Sequence, residues 1–152
     1  MSDQMNNSDL TVSDINKQLD DVRKRREKTS ARLEEKLAQR QAQREMERET
    51  NLAEGDEVFD RLVDEHPDED IYRFNLPNGK LIALKLPTRQ AVRTFRDSKM
   101  NLDNTDNFIR SCLLYPDKTT FDSYTRKYGM MTTGCSNSLL EIYGLKMEVA
   151  GN

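Results

Sequence analysis

The sequence contains no tryptophan, a single histidine and only two cysteines among its 152 residues. Two cysteines and one histidine are too few for most structural zinc sites and for a disulfide framework, so a reducing compartment is expected. No run approaches the roughly 20 apolar residues of a membrane-spanning helix, and the N-terminus lacks the pattern of a signal peptide. We therefore expect a cytoplasmic protein with no membrane segment and no cofactor.

Apolar residues are scarce as well. Hydrophobic residues make up 35% of the chain and charged residues 34%, whereas globular proteins average about 45–50% and about 25%. All ten aromatic residues lie between Phe59 and Tyr143. A core that runs the full length is therefore excluded, and a two-part protein is expected. The net charge of −3 does not indicate a polycation that binds nucleic acid as a whole.

The N-terminal part is expected to be a disordered tail followed by a long helix. Residues 1–9 are short and mostly polar, which is typical of disorder. Residues 10–53 contain no glycine or proline and predict one polar, basic helix of about 35–40 residues. Four apolar residues follow a coiled-coil spacing of three and four over about two heptads: Val12, Ile15, Leu19 and Val22. Such a helix is marginal alone, so it should be frayed, partner-dependent or bundled.

A basic residue recurs at every fourth position of this helix. We call this set the basic stripe, and it comprises Lys24, Lys28, Arg32, Lys36, Arg40, Arg44 and Arg48. At 3.6 residues per turn it drifts about 40° around the helix axis at each step. One interpretation is contact with phosphates or an acidic partner. The other, which we favour, is a solvated face balanced by glutamates, because single-stranded nucleic-acid binding also uses interleaved aromatics.

Residues 54–70 form an acidic segment, with nine Asp or Glu residues and one Arg among seventeen. Apolar residues within it have helical spacing, so the segment predicts a short acidic linker helix that ends at His66-Pro67. We favour a simple solvated linker helix for this segment. Three other roles are compatible with its composition: pairing with the basic stripe in the same chain, keeping the stripe from other acidic surfaces, or contact with a basic host protein.

Residues 71–152 are expected to form the folded domain, beginning with a β-hairpin. Two β-rich runs flank Pro77-Asn78-Gly79, which indicates a tight turn. A two-residue turn and a three-residue loop give registers that differ by one residue. We choose the three-residue loop, with Pro77 second in a type I turn and Gly79 left-handed, because Pro favours that position and one face becomes apolar throughout.

The chosen register assigns each residue of the hairpin to a face. The apolar face comprises Tyr72, Phe74, Leu76, Ile82, Leu84 and Leu86. Ala83 lies on the other face, where we expect an aspartate to be tolerated, whereas an aspartate at Leu84 or Phe74 should unfold the domain.

Four helices are predicted after the hairpin, at about residues 89–99, 106–115, 117–129 and 136–143. The fold class is therefore α+β, with a long N-terminal helix and a β-hairpin packed against a small bundle of about four helices. The bundle has to cover the apolar face, since an isolated hairpin is marginal in water.

No catalytic or metal-binding constellation can be assembled. His66 lies in the acidic linker without a nucleophile nearby. Cys112 falls on an apolar helical face and indicates a core residue. Cys135 is expected in a polar loop before a helix, where a thiol pKa can be lowered, but it has no histidine or CxxC partner. We do not expect an enzyme.

Over about residues 71–144 the predicted elements are accompanied by a set of residues in a recognisable order: Lys85, Pro87, Arg89, Phe95, Cys112, Tyr115, Pro116 and Asp117. This order of elements and residues resembles the tail assembly chaperones of long-tailed bacteriophages. The resemblance implies a small non-virion protein that coats the tape measure protein in the bacterial host cytoplasm and keeps its apolar helices soluble. The usual members begin near the hairpin, whereas this chain has some 70 residues before it.

The leading hypothesis is thus a chaperone that binds the tape measure protein or another long helical phage protein, with a homo-oligomer also possible. Aromatic and methionine side chains suit an adaptable helix-binding surface, and the expected contact residues are Phe121, Tyr124, Tyr128, Met130 and Met131. Two alternatives stay open. The basic stripe could bind an acidic partner or, less favoured, nucleic acid, and the protein could be a minor structural component of the virion.

Overall fold

A computed structural model of the chain describes residues 11–99 and 101–151. The elements in chain order are α1 (Val12–Glu65), β1 (Ile71–Asn75), β2 (Leu81–Lys85), α2 (Arg89–Asp97), α3 (Leu102–Ser111), β3 (Leu113–Tyr115), α4 (Lys118–Lys127) and α5 (Met131–Gly151). Across these residues five helices accompany one antiparallel sheet with the strand order β1-β2-β3, so the predicted α+β class is confirmed. The expected disordered tail at residues 1–9 lies outside the described residues.

Helix α1 is one unbroken helix of 54 residues, where we expected a long helix to residue 53 and a separate acidic helix over 54–70. The first proline after its start is Pro67, so no residue forces a break at the expected boundary. Gly55 is buried within the helix. A Cβ there would lie 3.1 Å from Arg73 Nη2 and 3.2 Å from Leu81 Cβ, so this glycine permits a close approach to the hairpin.

The chain divides into two compact units, residues 1–45 and residues 46–152. In the first unit every described residue is exposed, and its described part is Thr11 followed by α1 from Val12 onward. The second unit holds the remainder of α1, the sheet and the other four described helices. All buried residues of the described chain belong to this second unit.

The hairpin has the predicted three-residue loop. Tyr72 pairs with Leu84 and Phe74 with Ile82, and the Gly79 amide donates to the Leu76 carbonyl at 2.8 Å. Gly79 has a φ of +86°, the left-handed conformation that glycine adopts without strain. A Cβ there would also lie 2.5 Å from the Arg48 carbonyl oxygen of α1. The register choice is therefore confirmed.

One face of the hairpin packs against the helices that follow it. The core on this side comprises Leu76, Ile82, Leu84, Val92, Phe95, Phe108, Ile109, Cys112, Phe121, Cys135 and Leu139. Phe95 and Phe108 stack with their ring centroids 4.4 Å apart. This arrangement joins α2 to α3 and covers the apolar face that the register predicts.

The opposite face of the hairpin is buried too, contrary to our expectation for Ala83, which is 0% exposed. Leu81, two residues earlier on the same face, is 3% exposed and lies against Gly55 of α1. The Asn51 side-chain amide donates to the Asn78 carbonyl at 2.8 Å. The sequence suggested an open face because the residues of α1 that cover it are mostly polar.

Arg73 ties this outer face to α1. Its guanidinium pairs with the carboxylate of Asp56 and donates to the Leu52 carbonyl at 3.3 Å. It also lies 5.9 Å from the centroid of the Phe59 ring, within the range of a cation–π contact. One basic side chain of β1 thereby contacts residues of α1 that span about two helical turns.

The segment after α3 differs from the prediction. We expected one helix over about 106–115, but α3 begins at Leu102, with Asn101 as its N-cap, and Leu113–Tyr115 form a third strand. In this strand Tyr115 pairs with Ala83 and Leu113 with Leu84. The free edge of β2 supplies backbone partners that a continued helix would leave unused.

The last helix also begins earlier than predicted, at Met131 instead of Ser136, and it continues through Gly144 to Gly151. Gly134 meets no neighbouring atom within 4 Å of a hypothetical Cβ, so it is accommodated in the first turns of the helix. The expected polar loop around Cys135 is therefore wrong. Helix α4 agrees with the prediction, with Asp117 as its N-cap and Tyr128 as its C-cap.

The burial of both hairpin faces predicts that Ala83→Asp is strongly destabilising. It should lower the free energy of unfolding by about 3 kcal/mol or more, comparably to Leu84→Asp, because each places a carboxyl group in an apolar interior. Urea denaturation followed by circular dichroism measures the effect. Ala53→Asp is the matched control, since Ala53 is exposed on α1 and should cost less than about 1 kcal/mol. Equal tolerance at positions 83 and 53 would contradict the two-sided packing.

Candidate functional site

The second unit contains an open cavity of about 540 Å³ between the hairpin and the junction of α4 with α5. We call it the apolar groove. Its lining comprises Phe74, Asn75, Leu76, Pro77, Ile82, Tyr128, Gly129, Met130, Met131, Gly134, Cys135 and Ser138. None of these residues is charged, so the groove offers apolar surface with a few neutral polar groups.

Two structural features shape the groove. The three-residue loop ends the hairpin with Leu76 and Pro77 on one side. On the other side α4 ends at Tyr128, and the chain turns through Gly129 and Met130 before α5 begins. The turn is closed by the Met131 amide, which donates to the Tyr128 carbonyl at 3.0 Å.

Three of the five predicted contact residues line this groove. Met130 is 70% exposed, whereas Tyr128 and Met131 are half-buried against the core. Tyr124 packs partly against the core as well and does not line the groove. Burial raises the pKa of the Tyr124 hydroxyl, and the neutral phenol is therefore favoured.

Phe121 is not a contact residue, contrary to expectation. It is 0% exposed, and the guanidinium carbon of Arg110 lies 5.8 Å from its ring centroid. The apolar side of α4 faces the core, so the spacing that suggested a binding surface is a core pattern instead. We did not predict that residues of the hairpin line the groove, although Pro77 marks the turn of the hairpin and is one of them.

The basic stripe lies on α1 with all seven members exposed. Lys24 forms an exposed ion pair with Asp20, in which Nζ lies 3.3 Å from Oδ2. Among the described residues, no carboxylate oxygen lies within 4.0 Å of the charged group of any other member of the stripe. Arg48 differs from the rest because its backbone carbonyl contacts the hairpin turn. Exposed pairs of this kind contribute about 0–1 kcal/mol, so this ion pair does little to stabilise α1.

The residues that carry the family resemblance have structural contacts. Cys112 accepts a backbone hydrogen bond from Lys85 at 2.9 Å, and the Pro87 carbonyl accepts one from the Tyr143 hydroxyl. Phe95 is in the core, and Arg89 is the first residue of α2. Tyr115 ends β3, and its bond to Pro116 is cis.

Asp117 completes this set as the N-cap of α4, where its side chain accepts from the Thr120 amide. The hydrogen bond from the Thr120 hydroxyl lowers the pKa of its carboxyl group.

Both cysteines are buried and free. Burial raises the pKa of the Cys112 thiol and of the Cys135 thiol from 9.0 to about 11. The lowered pKa considered for Cys135 is therefore wrong, because the residue lies inside α5 and not at an exposed helix start. In the linker after α1, the Nδ1 atom of His66 lies 3.4 Å from Oε2 of Glu69.

The described part of the chain contains no group of three or more His, Cys, Asp or Glu side chains placed to hold a metal ion. Of the helices that the structure describes, none is both long and apolar enough to cross a membrane.

Comparison with family models, with curated proteins and with solved structures returned no significant match in any of the three cases. The resemblance to tail assembly chaperones therefore stays a prediction from the order of sequence features.

The raised thiol pKa values predict that native protein resists alkylation. At pH 8 iodoacetamide should modify neither cysteine, but it should modify both in 6 M guanidinium chloride.

The folded state also keeps its thiol protons up to about pH 11, whereas the unfolded chain loses them near pH 9. The free energy of unfolding should therefore fall as the pH rises from about 9 to 11. Mass spectrometry and urea titrations check both effects, and rapid native labelling would contradict the burial.

Proposed function

We propose that this chain is a non-enzymatic tail assembly chaperone that binds and solubilises the tape measure protein in the cytoplasm of a bacterial host. The observation that carries the proposal is the apolar groove, an open and uncharged concave surface on the folded unit. The order of features from Lys85 to Asp117 supports it through the family resemblance. The two buried thiols, protonated at neutral pH, support a role without covalent catalysis.

The groove suits an amphipathic helix. Its cavity of about 540 Å³ is lined by apolar side chains with a few neutral polar groups. A helix presents apolar anchors at positions i, i+3 and i+4, which can enter such a surface side by side. Met130 and Met131 have flexible, polarisable side chains that adjust to anchors of different shape. A chaperone that coats a long protein needs this tolerance, because successive client helices differ in sequence.

The basic stripe supports a second candidate function, contact with an acidic partner or nucleic acid. Its seven side chains are exposed on α1, so they can reach phosphates or carboxylates. The two functions differ in their response to salt. Binding to phosphates weakens steeply as salt rises, whereas burial of apolar surface does not. In the chaperone the stripe would mainly accelerate encounter with the client.

The proposal predicts that Met130→Glu abolishes the solubilisation of a client. Co-expression with an insoluble, helix-rich tape measure fragment should yield soluble complex with the unaltered chain and at least tenfold less with Met130→Glu, because a carboxylate would enter the apolar groove. Met46→Glu is the matched control, since Met46 is 71% exposed and Met130 70%, and only Met130 lines the groove. The soluble fraction of the fragment is the measurement.

A second variant separates the two candidate functions. Replacement of Arg32, Lys36, Arg40 and Arg44 by glutamine should leave solubilisation largely intact, and the complex should survive about 0.5 M salt. Loss of the client from this variant, together with full activity of Met130→Glu, would overturn the chaperone proposal and favour the electrostatic binder.

A further inference from the structure

The second unit contains another cavity, which lies beside α2 and differs from the apolar groove in its charge. Its volume is about 340 Å³, and it shares no lining residue with the groove. We call it the arginine cavity, and its lining comprises Arg89, Val92, Arg93, Arg96, Asp97 and Tyr143.

The sequence of α2 places three arginines on one side of the helix. Arg89, Arg93 and Arg96 are separated by four and three residues, a spacing that brings side chains next to one another along a helix. All three are exposed. Val92 belongs to the same side but is only 5% exposed, so it forms an apolar floor beneath the three guanidinium groups.

Tyr143 of α5 forms a wall of the cavity. Its hydroxyl group donates a hydrogen bond to the Pro87 carbonyl, which positions the ring beside the start of α2. Burial raises the pKa of this hydroxyl group, and the positive charge of Arg89 opposes that rise. Arg89 is therefore close enough to the tyrosine to influence its charge.

The lining of the cavity is positively charged on a unit that is negatively charged. Three arginines and one aspartate give the lining a net charge of +2. Residues 46–152 carry fourteen basic and eighteen acidic side chains, a net charge of −4. Among the described residues, no carboxylate oxygen lies within 4.0 Å of the guanidinium group of Arg89 or Arg93. Neither of these two charges is neutralised by an ion pair within the described chain.

We propose that the arginine cavity binds the phosphate group of a small phosphate monoester. Such a group carries a charge of about −1.5 to −2 at neutral pH, which matches the +2 of the lining. A carboxylate or a phosphodiester of nucleic acid carries a single negative charge and matches it less well. Each guanidinium can donate two parallel hydrogen bonds to phosphate oxygens.

The cavity also accommodates the organic part of the ester. Val92 and the ring of Tyr143 provide apolar surface beside the guanidinium groups, and an organic group that packs there is removed from water. A monoester is therefore expected to bind more tightly than inorganic phosphate. Since the cavity is separate from the apolar groove, this inference does not depend on the proposed function.

Isothermal titration calorimetry of the full-length protein tests the site, with phenyl phosphate as the probe. At pH 8 the phosphate group of this probe is a dianion. Benzoate presents the same ring with a single charge, and inorganic phosphate presents the charge without the ring. We expect one saturable site for phenyl phosphate, with binding at least about tenfold weaker for benzoate and measurably weaker for inorganic phosphate.

Arg93→Gln removes one of the guanidinium groups and should weaken the binding of phenyl phosphate at least about tenfold. Arg126→Gln is the matched control and should bind like the unaltered chain. Arg126 is also an exposed arginine on a helix of the second unit, but it does not line the cavity. Both variants should keep the urea midpoint of the unaltered chain, because both positions are exposed, and Arg89→Gln is a second variant with the same expected loss.

Four results would overturn the inference. They are the absence of saturable binding, equal binding of benzoate or inorganic phosphate, equal weakening by Arg93→Gln and Arg126→Gln, and undiminished binding by both cavity variants. If binding is instead lost when Arg32, Lys36, Arg40 and Arg44 are replaced by glutamine, the phosphate binds the basic stripe and the inference is wrong.

Discussion

The packing of α1 against the outer face of the hairpin is the contact on which the rest of the fold depends. A two-stranded hairpin cannot stay folded with an apolar face in water, and here both faces are apolar enough to need cover. The later helices cover one face. The other, with Leu81 and Ala83, lies against the stretch of α1 that includes Asn51 and Gly55. A largely polar helix can do this because its few buried residues are spaced to meet the strands.

This contact also fixes the candidate site. The hydrogen bond from Asn51 to the Asn78 carbonyl and the close approach of Gly79 to Arg48 hold the end of the hairpin from behind. Leu76 and Pro77, on the groove side of the same turn, are thereby held in place. A groove that is formed before binding requires less ordering of side chains when a helix enters it. In the proposed function, the outer face of the hairpin would contribute to binding without contacting the partner.

Local signals in the sequence were sufficient for the hairpin. Pro77 and Gly79 specify the loop, and the alternation of apolar residues specifies the register. The same local reasoning failed where a distant segment decides the outcome. Ala83 is buried by a helix some 30 residues earlier in the chain, and Leu113–Tyr115 become a strand because the edge of β2 is free. Neither partner is visible in the local pattern.

The candidate site could be predicted only in part, because local spacing does not show which side of a helix faces the core. Met130 and Met131 were predicted from their flexible methionine side chains, but Phe121 has the same helical spacing whether it faces the core or a partner. Only the packing of α4 distinguishes these cases. Gly55 is unusual inside a long helix and permits a close approach to the hairpin, but the local sequence pattern assigned it no role.

The most direct test of this account compares two shortened chains with the full-length protein by urea denaturation. A chain of residues 46–152 keeps the part of α1 that covers the hairpin, whereas a chain of residues 67–152 removes it and exposes Leu81 and Ala83. The account predicts that the first unfolds at the midpoint of the full-length protein. The second should be unfolded or at least about 3 kcal/mol less stable, as expected when core contacts are lost. Equal stability of the two shortened chains would contradict the claim that α1 holds the hairpin.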